Sequence, residues 1–259
     1  MVDRSELNGA SAWPAGHRAA LCPVLLLVGP NASETTEPGL FATAPYGATG
    51  LISLLELLDD LDLRCTIAPD EGAVGAYAPS LRRCHLSGHE LAVAIPTDGV
   101  NSAERTLDAL RHITGASPRG LVVGAAADVD ATTLAWAEWQ LATAATDLPT
   151  LTERGTEAPP LVTLPGNPYL IDLTWLDPAR PLPPSSLLEA WTLAMDAART
   201  TGGLMCVVMH PHLIARPGLQ GTLGRFLDET IGSGDVWIAP ATEVAGWWIE
   251  RHLHDVDRG

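Results

Sequence analysis

His210 is the side chain in this sequence best suited to proton transfer. It ends the apolar run Leu204 to Met209, which reads as a buried strand and would hold the imidazole rigidly, and an imidazole gains and loses protons near neutral pH. The competing role is a structural histidine bonded to backbone. Asp98, on the loop after the apolar segment Glu90 to Ile95, could orient His210 or act as a base itself, and a solvated loop carboxylate is the alternative. Asn167 and Tyr169, in Leu164-Pro165-Gly166-Asn167-Pro168-Tyr169-Leu170-Ile171-Asp172, could hydrogen-bond a ligand carbonyl, as an oxyanion site requires, or form a turn and a plug of the core. Arg216, in an Arg-Pro-Gly turn, suits pairing with a carboxylate or backbone carbonyl better than contact with a substrate.

Composition removes several classes of chemistry. The sequence of 259 residues contains no lysine, so Schiff-base catalysis and a phosphate-loop lysine are excluded. A formal net charge of -16 repels phosphate backbones and anionic lipid, so neither nucleic acid nor a membrane is an expected partner. Cys22, Cys65, Cys84 and Cys206 show no C-x-x-C spacing and read as buried free thiols. The first residues lack a basic segment followed by an apolar run, and the chain is expected to be cytoplasmic.

The elements that must position these groups alternate between strand and helix. Ala19 to Val28 reads as a strand buried on both faces, Leu51 to Leu61 as a helix and Arg64 to Ala68 as a strand. A helix over Ala78 to His85, a strand over Glu90 to Ile95, a helix from Ser102 (its N-cap) to Ile113 and a strand over Gly120 to Val123 follow. Ala131 to Ala144 reads as a helix, Asp147 to Pro160 as a loop, and Leu161 to Leu164 and Tyr169 to Leu173 as strands. A helix capped by Ser185, the strand ending at Met209, a helix over Thr222 to Ile231, a strand over Val236 to Ala239 and a helix from Thr242 complete the chain. No Gly-rich dinucleotide loop follows the first strand, which favours one barrel domain over residues 1–259 rather than an open sheet.

Met209-His210-Pro211-His212-Leu213-Ile214-Ala215-Arg216-Pro217-Gly218, followed by Asp235-Val236-Trp237-Ile238-Ala239 and Glu243-Val244-Ala245-Gly246-Trp247-Trp248, closely resembles the C-terminal segment of polysaccharide deacetylases of carbohydrate esterase family 4, particularly their allantoinase-type branch. Trp13-Pro14-x-Gly16-x-Arg18, Tyr46-Gly47 and Ser87-Gly88-His89-Glu90-Leu91 agree in order, so the resemblance spans nearly the whole chain. It implies a distorted α/β barrel of about seven strands, with a cup at the C-terminal ends of the strands where an aspartate and two histidines hold a metal and a second aspartate is the base. The carboxylates would fall at Leu26 and Val28, the histidines at Ala94 and Asp98, and a family arginine at Val122. Only Asp98 offers a donor atom, so the resemblance implies a degenerate site with no metal and no other cofactor. His210 matches the family histidine facing the cup, whereas His89 matches a turn histidine that is not a ligand.

Leu26, Val28, Ala94 and Val122 would make the cup apolar, and Tyr46, Asn167, Tyr169 and Arg216 complete the expected ligand-binding set. The sequence therefore points to a metal-independent enzyme acting on a hydrophobic small molecule in bacterial, including secondary, metabolism, by cyclisation, isomerisation or elimination. Metal-independent C–N hydrolysis stays open, since the allantoinase branch includes members that work without a metal. So does a non-catalytic binding or partner protein. A homo-oligomer is an expectation from the branch.

Overall fold

The computed structural model describes residues 12–29, 43–95, 99–124, 127, 129–155, 158–176 and 182–256, without the side chains of residues 43–46 and 253–256. In chain order the elements are β1 (Ala19–Leu27), α1 (Thr43–Asp60), β2 (Thr66–Pro69), α2 (Glu71–Ala76), α3 (Ala78–Leu86), β3 (Glu90–Leu91) and β4 (Val93–Ile95). Then come α4 (Val100–Thr114), β5 (Gly120–Val123), β6 (Trp139–Thr143), β7 (Thr150–Thr152), β8 (Leu161–Gly166), α5 (Asp172–Trp175) and α6 (Pro184–Thr201). β9 (Leu204–Met209), α7 (Pro211–Ile214), α8 (Pro217–Ser233), β10 (Val236–Ile238) and α9 (Ala241–Val256) close the sequence.

β1 is the central strand. One edge pairs with β9 over Ala20 to Leu25, and the other with β10 at Ala19 to Leu21 and then β2 at Val24 to Leu27, all parallel. β2 continues to β3. The second sheet runs β4-β5-β6-β8, parallel, with β7 antiparallel at its edge. β3 and β4 are one strand interrupted at Ala92, whose N–H still reaches the Ile67 carbonyl at 2.9 Å. Across the gap between β8 and β9, Ile171 pairs with Val208. The expected barrel is thus two curved parallel sheets with helices outside, and its hydrogen bonding is not continuous among the described residues.

Both faces of β1 are apolar because both are covered. Ala20, Cys22 and Val24 join Ala68, Ala94, Val122 and Leu164 in the interior, while Leu21, Leu25 and Leu27 pack outward against the helices. Each such leucine removed from water is worth roughly 1.5–3 kcal/mol. α9 lies over the N-terminal ends of the strands, where Val244, Ala245 and Trp248 join the interior cluster. Glu90 fixes its start: the carboxylate accepts the Thr66 hydroxyl at 2.7 Å, the Trp139 indole N–H at 3.0 Å and the Thr242 backbone N–H at 3.0 Å. No helix among the described residues is long and apolar enough to cross a membrane.

Several expected elements are corrected. Ala131 to Ala144 is not a helix: a 3-10 turn at Ala131–Thr133 precedes β6, which fills the place between β5 and β8. Tyr169 to Leu173 is not a strand, because Pro168 starts a 3-10 turn capped by the Asn167 side chain and α5 follows. The loop over Asp147 to Pro160 contains β7, and α2 and α7 are additional short helices. Neither Ser102 nor Ser185 is an N-cap; Gly99 and Pro183 hold those positions, and the Ser102 hydroxyl donates to Glu71 at 3.0 Å.

Candidate active site

The C-terminal ends of β8 and β9 bring together an acid and an imidazole. Pairing of Ile171 with Val208 sets the next residue, Asp172, alongside the end of β9. Asp172 is fully buried and uses both carboxylate oxygens on His210: Oδ2 accepts the His210 backbone N–H at 2.7 Å and Oδ1 lies 2.6 Å from Nδ1. A carboxylate oxygen there makes Nδ1 the N–H-bearing nitrogen, so the neutral ring presents Nε2 as an acceptor. Nε2 has no partner among the described residues. The pair can therefore take a proton at Nε2 and stabilise the imidazolium that results.

His212 stands edge-on to His210, ring centroids 5.8 Å apart. It lies in α7, and burial, followed by the neighbouring His210, pushes its pKa down to about 4, so it is neutral at pH 7. With Leu26, Leu27, Val28, Gly47, Tyr77 and Pro211 it lines a cleft of about 10 Å³. That space holds about one water molecule. The wall is set from below by Asp70, the N-cap of α2, whose carboxylate accepts the N–H of Gly29 at 2.9 Å and of Ala73 at 2.7 Å. Gly29 has to be glycine, since a Cβ there would stand 2.8 Å from the Gly72 backbone.

Of the expected ligand-binding residues, Leu26 and Val28 are half-buried at this cleft. Ala94 and Val122, register partners on β4 and β5, lie in the barrel interior with Leu26 packed against the same cluster. Asn167 and Tyr169 are exposed; the Asn167 Oδ1 accepts the Tyr169 N–H at 3.0 Å, which makes it a turn cap, and Tyr169 does not plug the core. Arg216 is the N-cap residue of α8 and donates from Nε to the His212 carbonyl at 3.1 Å. Tyr46 lies in the first turn of α1, its side chain outside the described residues, and Asp98 lies outside them altogether. His89 is buried, with Nδ1 accepting the Cys65 N–H at 3.3 Å.

Asp172 holds the His210 ring, an orienting role for which the sequence also offers Asp98, which lies outside the described residues. The signal for Asp172 was an acid set in the apolar stretch from Tyr169 to Trp175. His212 was legible only as a second histidine two residues after the first, and Tyr77 carried no signal. A larger cavity, about 320 Å³, lies at the opposite end of the barrel beside Thr242 and Glu243. Glu90, the buried carboxylate in its wall, is engaged by three donors.

A metal of the kind the resemblance implies does not fit the described residues. Leu26, Val28, Ala94 and Val122 carry no donor atom, and Asp172 is committed to His210. Among the described residues no group of three His, Cys, Asp or Glu side chains is arranged to hold an ion.

No family model matches the chain, and no curated protein matches it by sequence. Solved structures do. One described as a polysaccharide deacetylase from Pseudomonas aeruginosa PAO1 superposes with a TM-score of 0.80 at 19% identity, over 95% of this chain and 96% of that one. A structure described as Puue allantoinase gives 0.78 at 19% identity, over 95% of each chain. One described as a polysaccharide deacetylase from Mycobacterium smegmatis gives 0.77 at 20% identity, over 94% of this chain and 95% of that one. The two mainly parallel sheets and the helices around them are thus arranged in the polysaccharide deacetylase fold.

Proposed function

We propose that this protein is a metal-independent acid–base enzyme acting on a small, largely apolar molecule, with His210 as the proton-transfer group and Asp172 holding it. The observation that carries the reading is the Asp172–His210 pair, buried, with Oδ1 2.6 Å from Nδ1 and the second oxygen on the His210 backbone. Nε2 takes a proton from the substrate and returns it at another atom, which is what an isomerisation, a cyclisation or an elimination requires. The apolar walls from Leu26 and Val28 favour a hydrophobic body over a sugar chain. The same pair suits removal of a proton from an attacking water, so C–N hydrolysis without a metal is a related reading, favoured by the structural likeness to an allantoinase. A binding protein is the second reading. It is favoured by the cleft of about 10 Å³, which among the described residues leaves little room for a reacting molecule.

The test compares metal-stripped wild type with His210→Ala and Asp172→Asn in a bacterial small-molecule extract, following substrate loss by mass spectrometry. Wild type is expected to convert at least one component, and each variant to lose about 10²–10⁴ of that rate. Conversion that survives His210→Ala, or that needs added zinc, nickel or cobalt, overturns the enzyme reading. Binding without conversion selects the second one.

A further inference from the structure

Tyr77 joins α2 to α3 and is 6% exposed, and its hydroxyl is a buried group with no hydrogen-bond partner among the described residues. An unsatisfied buried hydroxyl is destabilising, and phenylalanine would avoid that cost with the same ring. Tyr77 nevertheless lines the His212 cleft, together with Gly47, against which its hydroxyl packs. α1 makes room for it: a Cβ on Gly47 would overlap the Tyr77 oxygen, so any larger residue there would have to displace the ring. The nearest carboxylate in its surroundings, Asp70, has its oxygens on the Gly29 and Ala73 N–H groups. Burial, then Asp70, raises the Tyr77 pKa, which keeps the phenol a proton-bearing donor at pH 7.

His212 supplies the second half. Neither of its ring nitrogens has a hydrogen-bond partner among the described residues, and its neutral ring offers one N–H. Two polar side chains without protein partners therefore share one cleft with Leu26, Leu27 and Val28, and the cleft, at about 10 Å³, is the size of one oxygen atom rather than of a molecule.

We infer that Tyr77 and His212 form an oxygen subsite, which takes the carbonyl oxygen of an uncharged substrate while the rest of the molecule extends toward His210. The inference rests on the acid–base reading above and names its substrate class: a ketone, ester, amide or lactone with an apolar body. No Arg or ionised carboxylate lines the cleft among the described residues, so an acid or an amine has no counter-ion there. Donation from both groups to one oxygen also stabilises the negative charge that grows on it when a proton is drawn from the neighbouring carbon.

The test uses cyclohexanone and methylenecyclohexane, which match in shape and differ in having oxygen or CH2. Each is titrated into the full-length protein with labelled leucine and valine methyl groups. The ketone is expected to shift the Leu26 and Val28 signals saturably, and Tyr77→Phe to weaken it by about five- to tenfold, one hydrogen bond. Methylenecyclohexane should bind wild type and Tyr77→Phe alike, and Tyr77→Phe should melt no lower than wild type. His210→Ala should keep the ketone affinity, which separates the two claims: loss of turnover with retained, Tyr77-dependent ketone binding sinks neither. Equal ketone binding by wild type and Tyr77→Phe, or no saturable shift at either methyl, overturns the oxygen subsite and leaves His210 untouched. A lower melting temperature in Tyr77→Phe with unchanged ketone binding also overturns it, since the hydroxyl would then serve a structural water.

Discussion

At the scale of single residues the site is defined by how its polar atoms are spent. Asp172 gives both oxygens to His210, Asp70 gives its own to Gly29 and Ala73, and Tyr77 and His212 give nothing to the protein. His212 makes this measurable. Its pKa is about 4 in the fold against an ordinary 6.5, so as the pH falls from 6.5 toward 4 the unfolded chain binds the extra proton and the folded chain resists it. Folding stability should therefore fall with acid across that window, by at most about 3 kcal/mol from this one group. Glu90 and Asp70, whose pKa values burial raises, push the other way, because the folded state then holds protons more readily. The comparison of wild type with His212→Gln isolates the term: urea midpoints across the window should slope less in the variant. Parallel slopes would show that His212 is not held neutral by the fold.

At the scale of elements, the strands with both faces covered were legible and those dressed as helices were not. β1 and β9 are unbroken apolar runs ended by turn or polar residues, and both lie where the sequence set them. β6 reads as a helix because Ala131 to Ala144 holds five alanines and two leucines, good helix formers, whereas its fate is decided by parallel pairing to β5 and β8. α5 reads as part of a strand because Tyr169 to Leu173 is a short, mostly apolar run, and Pro168 with Asn167 turns the chain instead. That second error matters for the site, since it concealed that Asp172 turns inward at a helix start. The positions of Leu26, Val28 and His210 were legible through the resemblance; Tyr77 was not, because its role depends on Gly47 of another helix. Glu90 offers an element-level prediction. Glu90→Leu removes the acceptor of three donors and should cost about 3 kcal/mol or more, with amide exchange rising first in α9. Unchanged protection of α9 would mean the interior cluster alone holds the helix.

At the scale of the whole molecule, the fold is that of solved polysaccharide deacetylases, while Leu26, Val28 and Ala94 put no donor atom where the resemblance sets metal ligands. Chelation should accordingly leave both the melting temperature and any turnover unchanged, and a fall in either, restored by zinc, nickel or cobalt, would defeat the metal-free reading. The molecule also commits its two ends to different tasks. α9 and Glu90 seal the barrel below, while the histidines stand above. On the acid–base reading, product is released beside His210, where the next substrate binds. Product should then compete with substrate for that place, and inhibition by product should be overcome by raising substrate alone.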